Sequence, residues 1–196
     1  MPIQVDHQKR RAEIARIVAE LASEVGIEQV TFREVAKRAG FSTMTVAHYF
    51  RDKKDLLVFT SSEARLHAAR RVRDAIDSGK DLLTCLSTIL PITKSRQIEW
   101  HTWFGFWGMA LSEPQIGSER RDSMEAASVL FIDAIKAAQN RGELPKRINR
   151  EFHATRLQIV INGIASLAIS SESTWPPERQ VDLLRREIKS IKAGTR

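Results

Sequence analysis

The stretch from Val30 to Phe50 leaves the backbone little choice, because its cap and turn residues stand at fixed offsets. Thr31 is a good helix N-cap, and Glu34 three residues on completes a capping box. Val30 and Val35 sit where a hydrophobic staple sets the angle of entry. Val35, Ala36 and Ala39 form an apolar stripe at helical spacing. Gly40 is the residue type that takes the left-handed conformation ending a helix, and Ser42 is a second N-cap. The helix opened there runs only about two turns, with Val46 and Phe50 facing inward. Thr43, Thr45 and His48 are expected to point outward.

Short donors and acceptors on a small helix suit the major groove of DNA, which admits a helix and carries a base-specific pattern. Residues 29–54 hold six Lys/Arg against two acids, and phosphate contacts need that charge because they release condensed counterions. A charged, solvated helical hairpin that binds nothing is the competing reading of the bare pattern.

Residues 40–57, Gly-Phe-Ser-Thr-Met-Thr-Val-Ala-His-Tyr-Phe-Arg-Asp-Lys-Lys-Asp-Leu-Leu, resemble the DNA-binding signature of the tetracycline-repressor (TetR) family of bacterial regulators. The likeness extends over residues 8 to about 60 and rests beyond that on length and helical pattern. It implies an all-α chain of about nine helices. Residues 1–54 would form a helix-turn-helix DNA-binding domain, and residues 55–196 a helical effector-binding and dimerisation domain. It further implies a homodimeric, ligand-responsive repressor on a double-stranded palindromic operator, released by a small-molecule effector. By the same resemblance Tyr49 and Lys53 contact the phosphate backbone. Two positions depart from the pattern. Met44 stands where the family often has glycine or proline, and Ala47 where it often has tyrosine, so contacts at 44 and 47 do not carry over.

The chain is long enough for one large domain or two small ones, and its 42% hydrophobic and 28% charged residues are ordinary for a globular protein. Its formal net charge of +7 fits a polyanionic partner without choosing among DNA, RNA and a membrane surface. No membrane span or signal peptide is expected. Cys85 stands alone, which excludes an internal disulfide and suits the cytoplasm.

His7 to Val25 reads as the first helix, with Ile14, Ile17, Val18, Leu21, Ala22 and Val25 on one face. Lys9, Arg10 and Arg11 lie at its start, the unfavourable end for the macrodipole. Contact with a phosphate or minor groove and a solvated basic tail explain that equally well. Asp52 is expected to cap a long helix from Lys53 to about Ile76, and a helix N-terminus bearing a lysine is a natural phosphate seat. Together Thr31, Tyr49 and Lys53 would fix register on phosphates, with Ser42 opening the helix from which Thr43, Thr45 and His48 read bases. Two copies would occupy successive major grooves about 34–36 Å apart.

Trp100, Trp103 and Trp107 share a helix face, which Phe104 and Leu111 extend and Phe106 and Met109 widen. A bulky core helix is one reading of this pattern. The other is an effector pocket lined by Trp100, Trp103, Phe104, Trp107 and Met109, since ligand sites are mostly apolar and aromatic. Stacked indoles would bind a cation through their π faces. The segment is similar to the corresponding helix of choline-responsive repressors of glycine-betaine synthesis, which implies a quaternary amine.

Further on, Pro114 to Arg141 reads as a helix, Glu151 to Ser170 as one apolar on most sides, and Val181, Leu184, Ile188 and Ile191 as its neighbour after Trp175-Pro176-Pro177. The resemblance makes these last two helices the dimer interface. Completing the core of a single chain is the alternative. No cofactor, metal site or catalytic constellation is expected, because the five histidines form no ligand-spaced pair and the lone cysteine has no close histidine. Two other classes remain in play: a non-specific basic nucleic-acid-binding protein, indifferent to sequence, and an enzyme on a helical scaffold, indifferent to DNA.

Overall fold

In the computed structural model, residues 3–194 are described. They form nine α-helices and one 3-10 turn: α1 (Ile3–Val25), the turn (Ile27–Gln29), α2 (Phe32–Ala39), α3 (Thr43–Tyr49), α4 (Lys53–Asp77), α5 (Leu82–Ser87), α6 (Lys94–Ala110), α7 (Pro114–Asn140), α8 (Arg150–Ser170) and α9 (Pro177–Ala193). None of the helices in the described residues is long and apolar enough to cross a membrane. The all-α expectation holds. The first helix begins at Ile3, four residues earlier than its apolar face suggests.

Two compact units share the chain. The first takes residues up to Leu66 together with Ile98–Arg120, and the second takes His67–Gln97 together with the chain from Arg121. In the first unit α1, α2 and α3 pack on one another. Their buried cluster joins Ile14, Val18 and Leu21 of α1 to Val35, Val46, Phe50 and Leu56, and it also takes in Phe106 of α6 and Ile116 of α7. That sharing of core explains why residues 98–120 group with the N-terminal helices. In the second unit α9 packs against both α5 and α8.

Caps decide where the helices begin. The Thr31 hydroxyl accepts from Glu34 N at 3.2 Å and the Ser42 hydroxyl from Thr45 N at 3.0 Å. Gly40 takes φ 69°, a left-handed value that a side chain would strain. Asp52 accepts from Asp55 N at 2.8 Å, and Asp55 accepts in return from Arg51 N at 3.1 Å. In the second unit Asp81 and Asn149 cap α5 and α8 through Thr84 N and Phe152 N.

One expectation about α6 fails. The helix ends at Ala110, and Leu111 lies in the turn beyond it, 84% exposed, so it does not extend the tryptophan face. At the basic start of α1 two of the three cations have partners within the chain. Arg11 pairs with Asp55 at 3.5 Å and lies over the rings of Phe50 and Phe59, at 4.8 and 4.3 Å. Arg10 pairs with Glu13 at 2.7 Å and lies over Phe41 at 5.1 Å. These two arginines hold helices of the first unit together, whereas Lys9 is exposed.

Candidate functional site

The short helix α3 is held from three sides. Ser42 caps its first turn, Val46 and Phe50 are buried in the cluster beneath it, and the left-handed Gly40 fixes the turn from α2. Among the residues expected to read bases, Thr43 and His48 are exposed, while Thr45 is half-buried with its hydroxyl 2.8 Å from that of Ser42. Thr45 therefore spends hydrogen-bonding capacity on the cap. Met44 and Ala47, the two positions that depart from the family pattern, are exposed beside Thr43 and His48. The four-residue offsets of Met44 from His48 and of Ala47 from Thr43 were the available signal.

The residues expected on phosphates lie around this helix. Thr31 is exposed at the start of α2. Tyr49 is half-buried, its ring 4.8 Å from His7 of α1 and 5.1 Å from His48. Lys53, at the first position of α4, donates from Nζ to the carbonyl oxygen of Glu28 at 2.6 Å. That bond uses one of three ammonium donors and leaves the others to point elsewhere. Its neighbour Lys54 pairs with Glu113 at 2.9 Å.

Charge around the motif is pinned in place. Arg38 makes a two-pronged pair with Glu24, at 3.1 and 2.5 Å, which raises the guanidinium above its usual range. The Asp52 carboxyl is held below the usual carboxylate range, chiefly by the N–H of Asp55 and next by Arg51.

The aromatic residues of α6 come together. Trp100 is buried and lies 4.8 Å from Trp103, 5.4 Å from Phe104 and 6.3 Å from Trp107, while Phe104 and Trp107 are 5.3 Å apart. Arg120 of α7 lies over the indole of Trp107 at 4.8 Å, a contact that sequence spacing did not signal. Phe104 and Met109 line a cavity of about 440 Å³, together with Ile27, Glu28 and the two glycines of α6, Gly105 and Gly108. Gly105 packs closely there, because a Cβ would stand 3.0 Å from Ile27, whereas one at Gly108 would meet nothing within 4 Å. No group of three or more His, Cys, Asp or Glu able to hold a metal occurs among the described residues.

Comparison with known proteins fits this geometry. The family description "Bacterial regulatory proteins, tetR family" matches residues 18–58. The description "BetI-type transcriptional repressor, C-terminal" matches residues 80–193. The chain is 30% identical to the transcriptional regulator BetI of Cronobacter sakazakii, over 94% of this chain and 92% of that one. It is 26% identical to the regulator PksA of Bacillus subtilis, over 97% and 94% of the two chains. A transcriptional regulator from Rhodococcus superposes with a TM-score of 0.79 at 27% identity, over 94% and 96% of the chains. A putative regulator from Saccharomonospora viridis, solved in complex with choline, shares the fold with a TM-score of 0.81 at 20% identity, over 93% and 96%. This chain is thus a member of the TetR family of bacterial transcriptional regulators with a BetI-type C-terminal part, a DNA-binding repressor family and not one of enzymes.

Proposed function

We propose that the chain works in the cytoplasm as a homodimer, bound to a palindromic operator and released from it by a small cationic effector of the quaternary-amine type. In this reading residues 1–54 bind DNA and residues 55–196 bind the effector and dimerise. Thr43 and His48 read base edges, and Thr31, Tyr49 and Lys53 seat the protein on phosphates. Ser42 and Thr45 fix the first turn of α3, with Thr45 at the edge of the reading surface. The observation that carries this is the capped, buried-backed α3 with a mixed polar face turned outward.

Dimerisation is supported by α8. Phe152 and Ile159 are 61% and 64% exposed, and Gly163, Ser166 and Leu167 continue the same arc of the helix. An apolar stripe with small residues at its centre suits close packing against a second copy, and a two-fold pair matches a palindromic site.

The effector class is supported by the rings at Trp100, Trp103, Phe104 and Trp107, with Met109 on the adjoining cavity. Trp107 already carries a guanidinium on its face, so its position accepts a cation. The choline bound by the Saccharomonospora regulator supplies the probe. The test is operator release. A duplex selected from a random pool by the purified protein is titrated with choline, and release is followed by fluorescence anisotropy. Trp103→Ala is expected to bind the duplex nearly normally and lose the choline response. A normal response in that variant would remove Trp103 from the effector site.

A further inference from the structure

The exposed face of α3 has an apolar centre. At about 100° per residue, Thr43 and His48 stand at the two edges of the exposed arc, and Met44 and Ala47 lie between them. Met44 is 84% exposed and lies outside the buried cluster of the first unit. A large apolar side chain held in water on so short a helix contributes nothing to the fold that a smaller residue would not.

The surface that α3 presents to a major groove meets donors, acceptors and one kind of apolar group, the C5 methyl of thymine. Methionine suits that target, because its unbranched, polarisable thioether chain adapts its shape to a small apolar group. We infer that Met44, backed by Ala47, is a specificity-determining residue that reads a thymine methyl in each half of the operator. The inference rests on the DNA-binding role proposed for α3 and deepens it. Thr43 and His48 then act at the flanks, and the base facing the middle of the helix is a thymine on one defined strand.

Replacing thymine by deoxyuridine removes that methyl and leaves every hydrogen-bonding group in place. On the selected duplex, thymines are exchanged one at a time, in one half-site and then in both. At one position the wild-type protein is expected to bind about 4-fold more weakly per half-site, the factor for one lost methyl contact. Met44→Ala is expected to bind thymine and deoxyuridine duplexes equally, at about the weaker level, and Met44→Leu to restore the difference. The melting midpoint of Met44→Ala should match the wild type, because the side chain is exposed. Wild-type binding insensitive to every exchange would overturn the assignment. So would unchanged sensitivity in Met44→Ala, or its loss in Thr43→Ser alone. Absence of any preference for the selected duplex over random DNA would instead sink the DNA-binding role of α3 itself.

Discussion

The Lys53 ammonium, at the start of α4, donates to the Glu28 carbonyl in the turn before α2, at 2.6 Å. One side chain thus ties the entry of the helix-turn-helix to its exit. Lys53→Ala is expected to weaken binding to operator and random duplex alike and to lower the salt slope by about one phosphate per subunit. Anisotropy titrations at several salt concentrations check this. A change in base preference with an unchanged slope would contradict the phosphate role.

The cap of α3 makes a separate prediction. Ser42→Ala removes the acceptor for Thr45 N and the contact with the Thr45 hydroxyl. Loss of such a cap costs about 1 kcal/mol, measurable by urea unfolding. Because α3 spans only Thr43–Tyr49, operator affinity is expected to fall with it.

Two glycines of one helix are expected to respond with opposite signs. Gly108→Ala should stabilise by about 0.5–1 kcal/mol, since a methyl group there meets open space and alanine favours the helix. Gly105→Ala should destabilise by about 1–3 kcal/mol, because Ile27 is buried and its Cβ, fixed to the backbone, cannot turn away. Thermal melts of the two variants decide the matter, and a stabilised Gly105→Ala would show that the turn yields freely.

Local chemistry explains what could be read in advance. Thr31, Ser42 and Asp52 declare themselves because a cap and the backbone N–H that donates to it lie three residues apart along the chain. Gly40 declares itself because few other residues take its φ. Contacts between distant segments carry no such signature. Nothing in the spacing links Lys53 to Glu28, Ile27 to Gly105, or Arg120 to Trp107. Arg11 is of the same kind, since nothing in the spacing links it to Asp55, Phe50 or Phe59, whereas the pair of Arg10 with Glu13 three residues on is legible in the helix itself. Leu111 fits the periodicity of α6, but the helix has already ended when the chain reaches it.

His153 on α8 gives the second unit a pH dependence. Its imidazole is held below the ordinary range, first by burial and then by Arg156, with Glu187 opposing. The unfolded chain therefore takes up a proton at higher pH than the folded one. The stability that follows is fully present above the ordinary imidazole range and is lost as pH falls through the lowered value. The melting midpoint should drop as pH falls below the ordinary imidazole range, and His153→Gln should flatten that part of the curve. An unaltered slope in the variant would assign the effect to other groups.

The most direct measurement pairs affinity with stoichiometry. The purified chain is titrated onto a selected palindromic duplex and onto a scrambled duplex of the same length, at one low salt concentration. A preference of about 10³ or more for the palindrome, with two chains per duplex at saturation, is the predicted result. Equal affinity for both duplexes, or a single chain bound at saturation, would contradict it.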